Sequence, residues 1–172
     1  MGFRNREGER MKACILYMEG TNCEEEMKRA FTQVEIEAEL VHLKQLTGDV
    51  PAELKRTLAD YDVLMIPGGW SAGDYVRAGA IFAARIKSKL LPEIKEFIDD
   101  GRLVGGVCNG FQVLTELGLL PGFDGISKFP EAALANNMTR YQCRPVYLKH
   151  TGKCAFTGKI PAGKVMQVPV AH

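Results

Sequence analysis

Long apolar runs are missing from this sequence. No window reaches the roughly 20 residues that a membrane-spanning helix needs, and the opening MGFRNREGER has arginines without the apolar stretch of a signal peptide behind them. A cytoplasmic protein without a membrane partner is expected. Charge of one sign is also missing: 22 basic and 21 acidic side chains nearly cancel, so nothing draws the chain toward nucleic acid as a partner. The five cysteines, at 14, 23, 108, 143 and 154, include no CxxC pair, and the three histidines, at 42, 150 and 172, are scattered. Neither a disulfide framework nor a metal site is expected. GxxxxGK[ST] does not occur, so no nucleotide cofactor belongs to this chain.

What is present is alternation. KACILYMEG (12–20) reads as a strand stopped by glycine, and TNCEEEMKRAF follows as a helix, with Thr21 or Asn22 as cap and glutamates in its first turn. IEAELVHL (36–43) alternates as a strand. DVPAELKRTLADY (49–61) reads as a helix with Asp49 as cap and Pro51 in its first turn. DVLMIPGG (62–69) is an apolar strand ended by Pro-Gly-Gly. AGAIFAARIKSKLLPEIKEFIDDG is helical, with Pro92 kinking it or starting a second helix. RLVGGV (102–107) is a fourth strand, and RYQCRPVYLKH and KVMQVPVAH are later ones. Such βα units predict a three-layer αβα fold with a mostly parallel central sheet. Residues 1–11 read as a polar N-terminal extension, with Met1 or Met11 as the native start, and 12–172 as one domain.

In a sheet of this kind ligands bind beyond the carboxyl ends of the strands. Three segments fall there: EGTNCE, PGGWSAGD and CNGFQ. In GGVCNGFQVL (105–114), Cys108 stands between Gly106 and Gly110 where a strand turns into a helix. This is a cysteine version of the nucleophile elbow. A helix N-terminus favours the thiolate, the form that attacks. A buried, inert cysteine is the alternative reading. In an elbow, the Asn109 N–H faces the developing oxyanion, and Gly68-Gly69 offers a second donor, the Gly69 N–H. Of the three histidines, His172, at the end of an apolar strand, is the best placed as base.

GVCNGFQVL resembles the nucleophile motif of the class I, triad-type glutamine amidotransferases, whose fold is flavodoxin-like. The residue four places after the cysteine there, Gln112 here, helps to hold the substrate glutamine. Together with GTNCE (20–24), PGGWSAGDYVRAGAI (67–81) and PVAH (169–172), the chain is similar to the glutaminase subunits of phosphoribosylformylglycinamidine synthase. The resemblance implies that Cys108 attacks the glutamine amide, that Asn109 and Gly69 stabilise the oxyanion, that Gln112 and Gly68 line the substrate site, and that His172 protonates the departing ammonia. The ammonia would pass to a large synthetase subunit, which uses ATP and Mg to convert formylglycinamide ribonucleotide to the amidine in purine biosynthesis. A small accessory subunit is the other implied partner. A DJ-1/PfpI-type hydrolase or repair protein is the alternative within this fold, but Gln112 and the GDYVRAGA loop favour the amidotransferase. Asp74, Tyr75 and Arg77 in that loop are candidates for subunit docking, ammonia gating or loop packing, Trp70 for a wall of the pocket, and Asn136 and Asn137 for substrate contact.

The family triad continues after its histidine to a glutamate two residues on, whereas this sequence ends at His172. The expectation is a truncated C-terminal part and an impaired glutaminase. Loss of the orienting acid costs about 10⁴ in turnover in serine triads, and less in a Cys-His pair. Ammonia release from glutamine should be weak for this chain and strong for one extended past His172; high turnover by the 172-residue chain would contradict this.

Overall fold

A computed structural model describes residues 10–136, 140–152 and 154–172; Asn137 lies outside the described residues. Contacts divide the chain into two compact units, one reaching to Leu134 and the other running from Ala135 to His172. The first contains four parallel strands, β1 (Lys12–Tyr17), β2 (Glu37–His42), β3 (Val63–Ile66) and β4 (Leu103–Gly106), in the order β2-β1-β3-β4. β1 is central, its four inner residues are buried, and the twofold alternation of a strand sends them to two different layers. Cys14 and Leu16, with Leu64 and Ile66 of β3, join one apolar cluster. Ala13 and Ile15, with Val63 and Met65, join another.

Helices cover both faces. α1 (Glu24–Thr32) packs Met27 and Phe31 on the second cluster. The first cluster takes Leu43 and Leu46 of α2 (Leu43–Thr47), Phe82 and Ile86 of α3 (Ala80–Lys89), Ile94 and Phe97 of α4 (Leu91–Asp99), and Val113 and Leu114 of α5 (Asn109–Glu116). Each such fully buried side chain contributes about 1.5–3 kcal/mol of transfer free energy. The expected three-layer αβα fold with a parallel sheet is the fold observed. Pro92 starts a second helix, α4, in which it is the second residue and needs no helical N–H donor.

The helix expected over 49–61 is not formed. The helix comes earlier, at α2, because the His42 ring accepts from the Lys44 N–H while the His42 N–H donates to Gln45 Oε1, a reciprocal cap. Gly48, at φ 78°, ends it in the left-handed region. Asp49 caps nothing and instead accepts from Thr47 and Lys89. The next residues make two short 3-10 turns, Ala52–Leu54 and Leu58–Asp60, separated by extended backbone at Lys55. Arg102 Nη1 holds the second turn by donating to the carbonyls of Leu58, Ala59 and Tyr61. The caps expected for α1 also differ: Cys23 occupies the cap position with no side-chain hydrogen bond to the helix, and the Thr21 hydroxyl accepts from the Met18 N–H instead.

The second unit contains a two-stranded antiparallel hairpin, β5 (Cys143–Lys149) and β6 (Val165–Ala171). Reciprocal hydrogen bonds between the backbones of Gln142 and His172 extend the pairing by one residue. His150 is buried in this unit, with its ring against Thr157 Oγ1 and the Pro161 carbonyl.

At the edge of the sheet Glu39 accepts from Arg56 Nε at 2.7 Å and from the Tyr61 hydroxyl at 2.9 Å, and pairs with Lys12 at 2.9 Å. Partial burial alone would raise its pKa, but these three partners outweigh it and bring the value from 4.5 to about 2. A carboxylate with a depressed pKa stabilises the fold above its unfolded value, and that contribution disappears as pH falls through the folded one. The stability difference between the native chain and Glu39→Gln, measured by urea unfolding, should therefore be largest above pH 4.5 and shrink steadily toward pH 2. A difference independent of pH would refute the assignment.

Candidate active site

Three loops meet beyond the carboxyl ends of β1, β3 and β4. The first holds Gly20, Thr21, Asn22 and Cys23; the second runs from Gly68 to Asp74; the third is the turn at Cys108. Thr21 and Gly69 form an isolated antiparallel bridge, with the Trp70 N–H, rather than that of Gly69, donating to the Gly20 carbonyl. The Ala72 N–H donates to the Glu19 carbonyl at 2.8 Å. Gly69 has φ 136°, and a Cβ on it would stand 2.7 Å from both Asn22 N and Asn22 Oδ1. Only glycine lets the two loops close to this distance.

Cys108 lies between β4 and α5 with φ 54° and ψ −113°, a strained conformation for a residue with a Cβ. The turn around it is tight. A Cβ on Gly106 would come within 2.6 Å of the Gly110 carbonyl, and one on Gly110 would overlap the Ile66 carbonyl oxygen. The Gly110 N–H donates to the Val107 carbonyl and the Gln112 N–H to that of Cys108, so α5 begins at once. Gly68 adjoins the elbow: its ideal Cβ would lie 3.2 Å from Cys108 Cβ and 3.6 Å from Cys23 Sγ. Cys108, Asn109, Gly68 and Gly69, assigned from the sequence, thus come together where these loops meet, and Gln112, on the first turn of α5, joins them through its bond to Asn109. His172 stands after β6 in the second unit.

The other expectations divide. Burial pushes the Cys23 thiol up, reinforced by Glu26, Cys108 and Glu24, which opposes the thiolate that its helix-terminal position would favour. Cys14 is a core residue whose thiol burial raises strongly. Cys143 and Cys154 are exposed. Asp74 and Arg77 serve loop packing: Asp74 accepts from Asn109 Nδ2, and Arg77 makes a two-pronged pair with Glu116 at 2.6 and 2.7 Å. Tyr75, Val76 and Trp70 are exposed. Asn136 lies in no regular element. Among the described residues no group of three or more His, Cys, Asp or Glu could hold a metal.

The sequence reading assigns Asn109 by its backbone N–H alone and does not reach its side chain. Its side chain is buried and makes four hydrogen bonds. Oδ1 accepts from the Ser71 N–H at 3.1 Å and the Ser71 hydroxyl at 2.7 Å; Nδ2 donates to Asp74 Oδ1 at 3.0 Å and Gln112 Oε1 at 3.1 Å. No spacing in the sequence brings Asn109 to Ser71 and Asp74, which lie 38 and 35 residues before it.

A parallel sheet carrying a cysteine on a left-handed strand-to-helix turn places the molecule among α/β proteins of the nucleophile-elbow type. Residues 10–172 match the model of the CobB/CobQ-like glutamine amidotransferase domain, and the chain belongs to that family. It is 51% identical over 170 residues to the phosphoribosylformylglycinamidine synthase subunit PurQ of Archaeoglobus fulgidus, covering 95% of this chain and 62% of that protein. With the subunit of the same name from Picrophilus torridus the identity is 46%, covering 94% and 60%. The chain spans about three fifths of the length of these curated relatives. The solved structure of PurLQS from Thermotoga maritima contains a chain similar to this one, with a TM-score of 0.75 and 30% identity, covering 95% of this chain and 67% of that one.

The backbone at Cys108 yields a test of the elbow. At an ordinary site Ala is more stable than Gly by about 0.5–1 kcal/mol; at a positive φ the order reverses. Cys108→Gly should be more stable than Cys108→Ala by about 1 kcal/mol in urea unfolding, and the opposite order would mean that the turn is not left-handed.

Proposed function

We propose that this protein is the glutaminase subunit of a phosphoribosylformylglycinamidine synthase, which hydrolyses glutamine and delivers ammonia to an ATP-using synthetase subunit in purine biosynthesis. The observation that carries the reading is the elbow: Cys108 is held at φ 54° directly before the first turn of α5, against the Gly68-Gly69 loop. The relatives named PurQ and the similarity to a chain of PurLQS support the same reading. The similarity to a chain of the PurLQS structure supports a synthetase partner, and a small accessory subunit is the further partner proposed. No helix among the described residues is long and apolar enough to cross a membrane; the proposed place of action, the cytoplasm, follows from the purine-biosynthesis reading.

The chemistry follows from the side chains. Cys108 Sγ as thiolate attacks the side-chain amide carbon of glutamine, forming a tetrahedral oxyanion. The N–H groups of Gly69 and Asn109 donate to that oxyanion, where charge develops. Collapse expels ammonia, with His172 as the proton donor, and leaves a thioester on Cys108. Water attacks the thioester to give glutamate and the free thiol. Gln112, one helical turn beyond Cys108, and Gly68 contact the substrate.

Ammonia release from glutamine, assayed with and without the synthetase subunit, tests the reading. Measured in a chain extended past His172, Cys108→Ser should lower turnover by about 10³-fold or more, and His172→Ala should lower it strongly, each with the fold retained. Undiminished activity in Cys108→Ser would rule the mechanism out.

A further inference from the structure

The four hydrogen bonds of the Asn109 side chain have a direction that the chemistry of its neighbours fixes. The Ser71 backbone N–H can only donate, so the end of the Asn109 amide that meets it at 3.1 Å is oxygen. The Asp74 carboxylate accepts, so the end that meets it at 3.0 Å is nitrogen. Two neighbours on opposite sides therefore demand the same orientation. The second Asn109 N–H is directed at Gln112, 3.1 Å away, which must meet it with Oε1. This leaves both N–H groups of Gln112 on the end turned from Asn109. A free glutamine side chain presents oxygen or nitrogen to a ligand as the ligand requires; this one is set as a donor.

We propose that Asn109 is a positioning residue, which reads its orientation from Ser71 and Asp74 and passes it to Gln112, so that Gln112 offers N–H donors to an acceptor oxygen of the substrate. The inference rests on the glutaminase reading and deepens it: the group recognised by Gln112 is an oxygen of glutamine, either its amide carbonyl or its carboxylate. Three further features support a relay with a single setting. Asn109 and Ser71 are both buried, at 2% and 1% exposure, so water does not compete for these bonds. The amide is saturated, with both lone pairs and both N–H groups used. The loop that supplies Ser71 and Asp74 is held in place from its other side by the Gly20 and Glu19 carbonyls.

An exchange of side chains separates direction from packing. In the double variant Asp74→Asn/Asn109→Asp the net charge is unchanged, position 109 still accepts from Ser71, and position 74 now donates to position 109. The loop keeps its bonds. Gln112, however, now faces an acceptor and must turn its nitrogen inward, so that oxygen faces the substrate. Labelling of Cys108 by 6-diazo-5-oxo-L-norleucine, an electrophilic glutamine analogue, reports recognition, while labelling by iodoacetamide reports the thiol alone; both are followed by mass spectrometry on the full chain.

The half-saturating concentration of the analogue should rise by about tenfold in the double variant, the effect of one hydrogen bond. The tenfold rise is judged against the iodoacetamide rate of the same variant, which reads any change at the thiol itself, and adding Gln112→Met should cost less than about twofold more. An unchanged half-saturation would overturn the proposal. So would an iodoacetamide rate that falls by the same factor, since the whole effect would then lie at the thiol and leave Asn109 a merely structural role. Absence of saturable, glutamine-competed labelling in the unsubstituted chain would instead overturn the glutaminase reading, and it would be seen before any substitution was made.

Discussion

The close approach of two backbones, at Gly110 on α5 and Ile66 on β3, governs the geometry of this site. No side chain fits between them, so the first turn of the helix rests directly on the end of the neighbouring strand. This contact brings Cys108 to the sheet edge beside Gly68, and it forces the chain through a left-handed turn at a residue that carries a Cβ. Such a conformation costs about 1–3 kcal/mol and persists only where the surroundings over-determine it. Here they do: the buried faces of α5 on one side, through Val113, Leu114 and Leu117, and the hydrogen-bonded glycine loop on the other.

The glycine loop is strained in its own right. Ala72, Asp74 and Val76 all have positive φ, and Gly73 lies among them. Two kinds of restraint hold it. Backbone bonds to Glu19 and Gly20 tie it to the end of β1, and side-chain bonds from Asn109 and the Arg77–Glu116 pair tie it to α5. The exposed residues Tyr75 and Val76 stand between these anchors. The loop is therefore rigid at its ends, where the candidate oxyanion donor lies, and presents apolar side chains to solvent at its outer part.

Much of this could be read in the amino acids. The parallel strands announced themselves as short apolar runs closed by Gly or Pro-Gly-Gly, and the elbow as glycines two residues either side of Cys108. These signals are local and steric, so a single sequence carries them. The segment 49–61 was misread because its helical spacing is genuine but is overridden from a distance: Arg102, over 40 residues away in sequence, binds three of its carbonyls. The His42 cap escaped notice because histidine is an unusual residue at that place. The Asn109 relay was invisible for a similar reason. Its partners Ser71 and Asp74 are 38 and 35 residues away, and nothing in the spacing of those residues indicates that they meet.

The buried Asn109–Ser71 contact has a kinetic side. Surface loops ordinarily open on their own, at far less cost than the domain as a whole. Here the loop cannot leave without stripping the Asn109 amide of its partners inside the protein, and an unpaired buried polar group is expensive. Its opening is therefore tied to the fraying of the first turn of α5. The two segments should breathe as one cooperative unit, with the lifetime of the weaker set by the stronger, and the site is either assembled as a whole or not at all.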